Sequence, residues 1–217
     1  MWLTCLVPFL LLASPPASQG AAPPSTVESP TIPQLQDVNA VVLQTVIADQ
    51  WDRGMDMFSG RPAKGADNLD WPAIAARDKD RQAKIRALVS KGDLKSARDY
   101  QFAALVLQHS ESAEDVGLAH LLASTAALKG QPSAKWLAAA ALDRFLWDHG
   151  NPQVFGTQFK RTEGERGEWT MEPYDRNAIA DSIRADWCVV SLSEQNAVLA
   201  AVKQGQPIGS TGVLDCK

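Results

Sequence analysis

Apolar residues recur at intervals of three and four positions along most of the chain, which is the period of one face of an α-helix. In the segment 34–51 these positions are Leu35, Val38, Val41, Val42, Val46 and Ile47. The same period continues over 72–90, where Pro72 suits the first turn of a helix and Gly92 suits its C-terminal cap. We predict a helix over each segment and expect most charges of the second helix to form a solvated face.

Three further helices are predicted over 95–109, 113–129 and 133–149. The stretches 102–107 and 136–142 are apolar on every side, and such helices are buried on every side. Consecutive helices of similar length joined by short loops pack as antiparallel neighbours. The sequence therefore predicts a mainly α fold, either an antiparallel helical bundle or a short α-α array.

The helical period is interrupted after Gly150. The segments 154–159 and 168–173 flank a charged loop that contains glycine, and this pattern indicates a small β-hairpin or an irregular arm. Helical spacing returns over 176–187 and 193–204. We therefore expect a helical domain with a small arm near its C-terminal end.

The N-terminal region carries a separate signal. The run Leu3–Ala13 is apolar but too short to cross a bilayer as a helix, and small residues and prolines follow it. This pattern is typical of a secretory signal peptide, although no Lys or Arg precedes the run. The alternative is a buried N-terminal helix, which the prolines disfavour. We predict a signal peptide over 1–21, a disordered linker over 22–33, a helical domain over 34–204 and a C-terminal tail over 205–217.

The predicted signal peptide implies that the protein is exported, either to the periplasm or to the medium. Cys5 would leave with the signal peptide, whereas Cys188 and Cys216 would remain in an oxidising compartment. These two cysteines form either a disulfide or two free thiols, because two cysteines alone define no spacing pattern. No later segment is long and apolar enough to predict a transmembrane helix.

Composition and charge narrow the function classes. Hydrophobic residues make up 45% of the chain and charged residues 21%, which is typical of a soluble globular protein. The formal net charge is -4, and the basic residues are mixed with acidic ones, as in 77–81. Nucleic acid is therefore not an expected partner. The sequence contains no metal-ligand pattern, phosphate loop or nucleophile elbow, so we expect no metal or cofactor.

Asp143 is the most informative polar residue. Its helical neighbours at three and four positions are all apolar, so its carboxylate projects from an apolar face. A buried charge without a partner is costly, and we therefore expect a partner from another element, with His109 and Arg184 as candidates. Arg144 points elsewhere on the helix and is expected to pair with Asp148 or to turn toward the loop after the helix.

Other polar residues lie close to apolar segments. His109 ends the apolar stripe of the third predicted helix and is either a hydrogen-bonded core histidine or part of a site. Gln153, Thr157 and Gln158 carry amides and a hydroxyl that donate and accept hydrogen bonds. They either satisfy the carbonyls at helix ends or form a wall that faces a ligand.

Three short motifs carry a resemblance to a known family. They are Leu107-Gln108-His109, Asp143-Arg144-Phe145-Leu146 and the run Gly150-Asn151-Pro152-Gln153-Val154-Phe155-Gly156-Thr157-Gln158. Over residues 75–195 the chain resembles the DUF6624 type of uncharacterised bacterial proteins, in which a later arginine, here Arg184, follows. The continuation Ser110-Glu111 departs from the family pattern. The resemblance implies a shared site made of Gln108, His109, Asp143, Arg144, Gln153, Thr157, Gln158 and Arg184, but no activity.

Two functions are compatible with these residues. The first is a binding or structural module of the cell envelope, with an envelope protein or a small molecule as its partner. The alternative is a hydrolase-like enzyme, in which His109 and Asp143 form an acid-base pair and Arg144 or Arg184 holds an anionic substrate. The absence of a recognisable catalytic motif favours the first.

Overall fold

The structure is a computed structural model that describes residues 35–58, 69–162 and 167–205. Within these residues the chain is mainly helical, with one small antiparallel sheet of two strands. The helices are α1 (Ala40–Asp52), α2 (Trp71–Lys91), α3 (Ala97–Leu107), α4 (Ala113–Leu128), α5 (Ala134–Asp148), α6 (Asp181–Asp186) and α7 (Leu192–Lys203). The strands are β1 (Lys160–Arg161) and β2 (Trp169–Thr170). The predicted mainly α fold with a small β arm is confirmed.

The helix ends follow local sequence rules. The side chain of Asn39 accepts hydrogen bonds from the first turn of α1, and that of Asp70 accepts one from the first turn of α2. Ser96 and Asp99 form a reciprocal capping box at the start of α3. Gly92 ends α2 in the left-handed conformation, with a φ of 69° that residues other than glycine rarely adopt.

Helix α3 lies at the centre of the first five helices. Its stretch 102–107 is completely buried, as its all-apolar sequence predicts. It packs against α1, α2 and α4 and touches α5, while α4 packs along α5. The buried alanines 138–141 of α5 bring its backbone close to its neighbours.

The segment after α5 folds back over that helix. Phe155 and Val189 pack around Ala139, and Phe159, Met171 and Tyr174 form a second small cluster. The hairpin is shorter than predicted, because the segment 154–159 is not part of a strand. Backbone N–H groups of this segment donate to the side chains of Asp143 and Gln153 rather than to a partner strand.

Several sequence predictions fall outside the described residues. These are the signal peptide over 1–21, the linker over 22–33 and the tail from residue 206 onward. Cys188 is disulfide-bonded, but Cys216 lies outside the described residues, so the pairing of these two cysteines stays a prediction. Among the described helices, none has the length and apolar character that crossing a membrane would require.

Candidate functional site

Asp143 lies in the last turns of α5 and is fully buried. One carboxylate oxygen accepts hydrogen bonds from the backbone N–H groups of Val154 and Phe155, at 2.7 and 2.9 Å. The other accepts from the backbone N–H and the hydroxyl of Thr157, at 2.9 and 2.8 Å. The carboxylate therefore holds the loop that follows its own helix, and four donors saturate it.

This arrangement meets the requirement that the apolar neighbours of Asp143 impose. Burial raises the pKa of the Asp143 carboxyl above its usual value, and the hydrogen bonds from Phe155, Thr157 and Val154 act in the opposite direction. The partner comes from outside α5, as expected, but it is a set of loop donors rather than the side chain of His109 or Arg184.

The two glutamines of the loop are also occupied. The amide nitrogen of Gln153 donates to the carbonyls of Gln158 and Met171, and its oxygen accepts from the backbone of Gln158 at 2.8 Å. The amide of Gln158 donates to the carbonyl of Ala140 on α5 at 3.0 Å and to the Thr157 hydroxyl at 3.1 Å. These contacts favour the structural role over the ligand-facing wall.

Arg184 of α6 is 1% exposed and donates from all three of its guanidinium nitrogens. Nε bonds the carbonyl of Val190, Nη1 the hydroxyl of Tyr174 and Nη2 the carbonyl of Phe155, each at 2.8 Å. The N–H of Phe155 bonds Asp143, so this single residue connects the buried anion to the buried cation.

We call Asp143, Gln153, Thr157, Gln158 and Arg184 the sealed network, because all five side chains are at most 6% exposed and bonded within the protein. Gly156 belongs to the same loop, with a φ of 71°. A Cβ there would lie 2.8 Å from the ring of Tyr174, so only glycine fits.

Arg144 and Gln108 join α5 to the end of α3. The guanidinium of Arg144 donates to the carbonyl of Gln108 and, at 2.7 Å, to that of Ser110. Its Nε lies 3.8 Å from Asp148, which is the predicted ion pair. The amide nitrogen of Gln108 is buried and has no hydrogen-bond partner among the residues that the structure describes. Arg144 therefore satisfies carbonyls beyond the end of α3.

His109 belongs to a different cluster from Asp143. Its Nδ1 lies 3.2 Å from the carboxylate of Asp49 on α1. Burial lowers the pKa of the imidazole below its usual value, and the attraction of Asp49 only partly opposes this. Within the part of the chain that the structure describes, no hydrogen bond joins His109 to Asp143.

A chain of charged side chains continues from Asp49. Arg53 bonds Asp49 at 2.8 Å and Asp78 of α2 at 2.6 Å. Arg81 bonds Asp78 at 2.8 Å and also contacts Asp52. Burial acts to raise the pKa of Asp49, but its contacts with His109, Arg53 and Gln50 outweigh burial and leave that pKa below its usual value.

We call His109, Asp49, Arg53, Asp78, Arg81 and Asp52 the ionic chain; it links α1, α2 and the end of α3. Most charges of α2 were predicted to lie in solvent, and Asp78 and Arg81 are exceptions, at 6% and 7% exposed. These residues lie on the same helical face as the buried Ile74 and Ile85, and this spacing was the available sequence signal.

The ionic chain lies behind a surface groove of about 530 Å³ between α1 and α2. The α1 wall of the groove consists of Val41, Gln44, Thr45 and Ala48. The α2 wall consists of Arg77, Asp80, Arg81 and Lys84. Arg81 therefore belongs both to the groove and to the ionic chain, and the groove is a concave surface that combines charged, polar and apolar side chains.

No protein-family model, no curated protein and no solved structure matches the chain. The resemblance to the DUF6624 type therefore stays a prediction.

Proposed function

We propose that this protein is an exported binding module of the cell envelope, with its ligand site in the groove between α1 and α2. The observation that carries this proposal is the difference in how polar groups are used. The side chains of the sealed network form their hydrogen bonds with other groups of the protein. The groove instead presents exposed charged side chains, such as Lys84, beside a wall of apolar and uncharged polar side chains. Pockets that combine apolar walls with a few polar groups are typical ligand sites.

The geometry supports binding over the hydrolase alternative. An acid-base pair of His109 and Asp143 needs the two side chains to act on one reacting group. The imidazole contacts Asp49, while the carboxylate of Asp143 is saturated by four donors of the loop. Of the two arginines proposed to anchor a substrate, Arg184 has its three guanidinium nitrogens bonded to protein acceptors, and Arg144 donates to the carbonyls of Gln108 and Ser110.

The ligand site is tested with a variant that fills the groove. Ala48 is exposed on the α1 wall, so Ala48→Trp places an indole in the groove. Small molecules and proteins that copurify with the wild type are identified by mass spectrometry and compared with those of the variant. Ala200→Trp, at an exposed position on α7, is the matched control. We expect retained ligand to be lost from Ala48→Trp alone; equal retention in both variants contradicts the proposed site.

Export is tested independently of the groove. The full-length chain is expressed in its native host, and the intact protein is recovered from cytoplasm, periplasm and medium. We expect the exported fractions to contain protein that lacks residues 1–21. Recovery of protein that begins at Met1 in the cytoplasm alone would contradict the proposed signal peptide.

A further inference from the structure

The charges around the groove identify the class of ligand, an inference that rests on the proposed function. Groove and ionic chain together contain four basic residues, Arg53, Arg77, Arg81 and Lys84, and four acidic residues, Asp49, Asp52, Asp78 and Asp80. The region is therefore neutral when His109 is neutral. A ligand that carries only negative charge gains little from such a surface.

Most of these charges are already paired. Arg77 donates through Nε to Asp52 at 2.6 Å, and Arg81 contacts both Asp52 and Asp78. Asp80 and Lys84 differ: both are exposed, and neither forms an ion pair or a side-chain hydrogen bond with any residue that the structure describes. The groove therefore presents one acid and one base for which the described protein supplies no partner.

The spacing of these two residues sets the size of the ligand. Asp80 and Lys84 are four positions apart, which is roughly 6 Å along a helix axis. An extended peptide advances about 3.3–3.6 Å per residue, so the ends of a dipeptide lie roughly 7 Å apart and those of a tripeptide roughly 10 Å apart. The facing wall offers the amide of Gln44 for a main-chain group and the apolar surface of Val41 and Ala48 for side chains.

We propose that the groove binds a short peptide of two or three residues, with the free ammonium at Asp80 and the free carboxylate at Lys84. Binding requires both charged ends of the peptide, because each end contacts one side chain of opposite charge. Arg77 and Arg81 hold the wall in place through Asp52 and do not select the ligand.

The test uses isothermal titration calorimetry on the exported protein with Ala-Ala as the probe. N-acetyl-Ala-Ala lacks the ammonium, and Ala-Ala amide lacks the carboxylate. We expect each blocked probe to bind about tenfold more weakly than Ala-Ala, which corresponds to the loss of one charge-assisted contact. Succinate and inorganic phosphate test a ligand that is only anionic.

Two variants assign the two ends of the peptide. In Asp80→Asn, the preference for a free ammonium disappears while the preference for a free carboxylate remains; Lys84→Met has the opposite effect. Glu111→Gln and Lys79→Met, which change exposed residues that do not line the groove, keep both preferences.

The outcomes separate this inference from the proposed function. The absence of Ala-Ala binding, or equal binding of all three peptides, overturns the peptide assignment. If succinate or phosphate binds and Ala48→Trp abolishes that binding, the groove is a ligand site but not a peptide site. A ligand profile that Ala48→Trp leaves unchanged contradicts the proposed function itself.

Discussion

The sealed network and the ionic chain solve the same problem in different ways. Both place charged groups among packed helices. In the first, Asp143 accepts hydrogen bonds only from uncharged donors, and Arg184 donates to three uncharged acceptors besides its 3.6 Å contact with Asp181. In the second, Asp49, Arg53 and Asp78 neutralise one another, and the chain continues to a groove at the surface.

This difference distinguishes a region that maintains the fold from a region that supports a candidate ligand site. A carboxylate bonded to backbone N–H groups fixes a loop, and it has no capacity left for a ligand. A chain of ion pairs that ends at a groove fixes the groove wall and leaves neighbouring charges, Asp80 and Lys84, exposed. Burial and ionisable character alone therefore do not mark a site; the remaining hydrogen-bonding capacity does.

The largest effect is expected when Asp143 is replaced by Asn. The amide NH2 would face N–H donors of Val154 and Phe155 or of Thr157, so hydrogen bonds are lost and two donors oppose each other. We expect the free energy of unfolding to fall by about 4 kcal/mol, measured by urea denaturation.

Two further variants test whether the loss of stability is specific to the contacts of Asp143. Thr157→Val removes one of the four donors and is expected to cost about 1.5 kcal/mol. Asp148→Asn changes a partly exposed residue one turn later on α5, with a long contact to Arg144, and is expected to cost below about 0.5 kcal/mol. Equal losses for Asp143→Asn and Asp148→Asn would show that the loop is not anchored by Asp143.

A smaller loss is expected when the ionic chain is cut at its centre. Arg53→Met leaves Asp49 and Asp78 buried without this shared cation. We expect the free energy of unfolding to fall by about 3 kcal/mol at neutral pH, because breaking a buried ion pair leaves an uncompensated charge. A variant as stable as the wild type would indicate that the two carboxylates are solvated, contrary to the buried chain.

The two regions also differ in their response to acid, through His109. The pKa of this imidazole is lowered from 6.5 in the folded state, so the unfolded chain binds more protons as pH falls. Stability is therefore lost as pH falls below about 7 through 6.5 toward the folded pKa. His109→Gln removes this component, and we expect a flatter decline between pH 7 and pH 5, smaller than the effect of Arg53→Met.

The opposite sign is expected for Asp143. Because burial raises its pKa above 3.8, this carboxyl contributes no loss of stability when the pH falls toward 3.8.

The prediction for His109 is measured by thermal unfolding as a function of pH for the wild type and for His109→Gln. Identical pH profiles would contradict a buried neutral imidazole.

The smallest effect is expected at the surface. Lys203 lies 3.5 Å from Glu168, and both side chains are largely exposed. Lys203→Met should change the free energy of unfolding by less than about 0.5 kcal/mol, because exposed ion pairs are weak. A loss comparable to that of Arg53→Met would remove the distinction between buried and exposed pairs.

The sequence predicted α1 to α5 and α7 because their buried positions are apolar at helical spacing or on every side, whereas the helix predicted over 176–187 begins only at Asp181. The stretch 102–107 is apolar on every side and buried on every side. The same reasoning predicted that Asp143 is buried and needs a partner. The identity of that partner could not be predicted, because backbone N–H groups of a loop carry no signature in the sequence.

The ionic chain was missed for a different physical reason. Most charges of α2 were expected to lie in solvent, because charged residues usually lie in water, and no buried partner was predicted for Asp78 or Arg81. Their position on the buried face with Ile74 and Ile85 was visible, but their partners Arg53 and Asp52 lie at the end of α1. Only the packing of α1 against α2 brings these charges together.

The buried carboxylate of Asp143 anchors the loop after α5, so the sealed network maintains the fold and does not bind a ligand. Native-state hydrogen exchange of the amides of Val154, Phe155 and Thr157, measured by NMR, tests this anchoring most directly. All three should exchange only through global unfolding, with protection equal to the free energy of unfolding. Exchange of these amides within minutes, in a protein whose α3 amides remain protected, would contradict it.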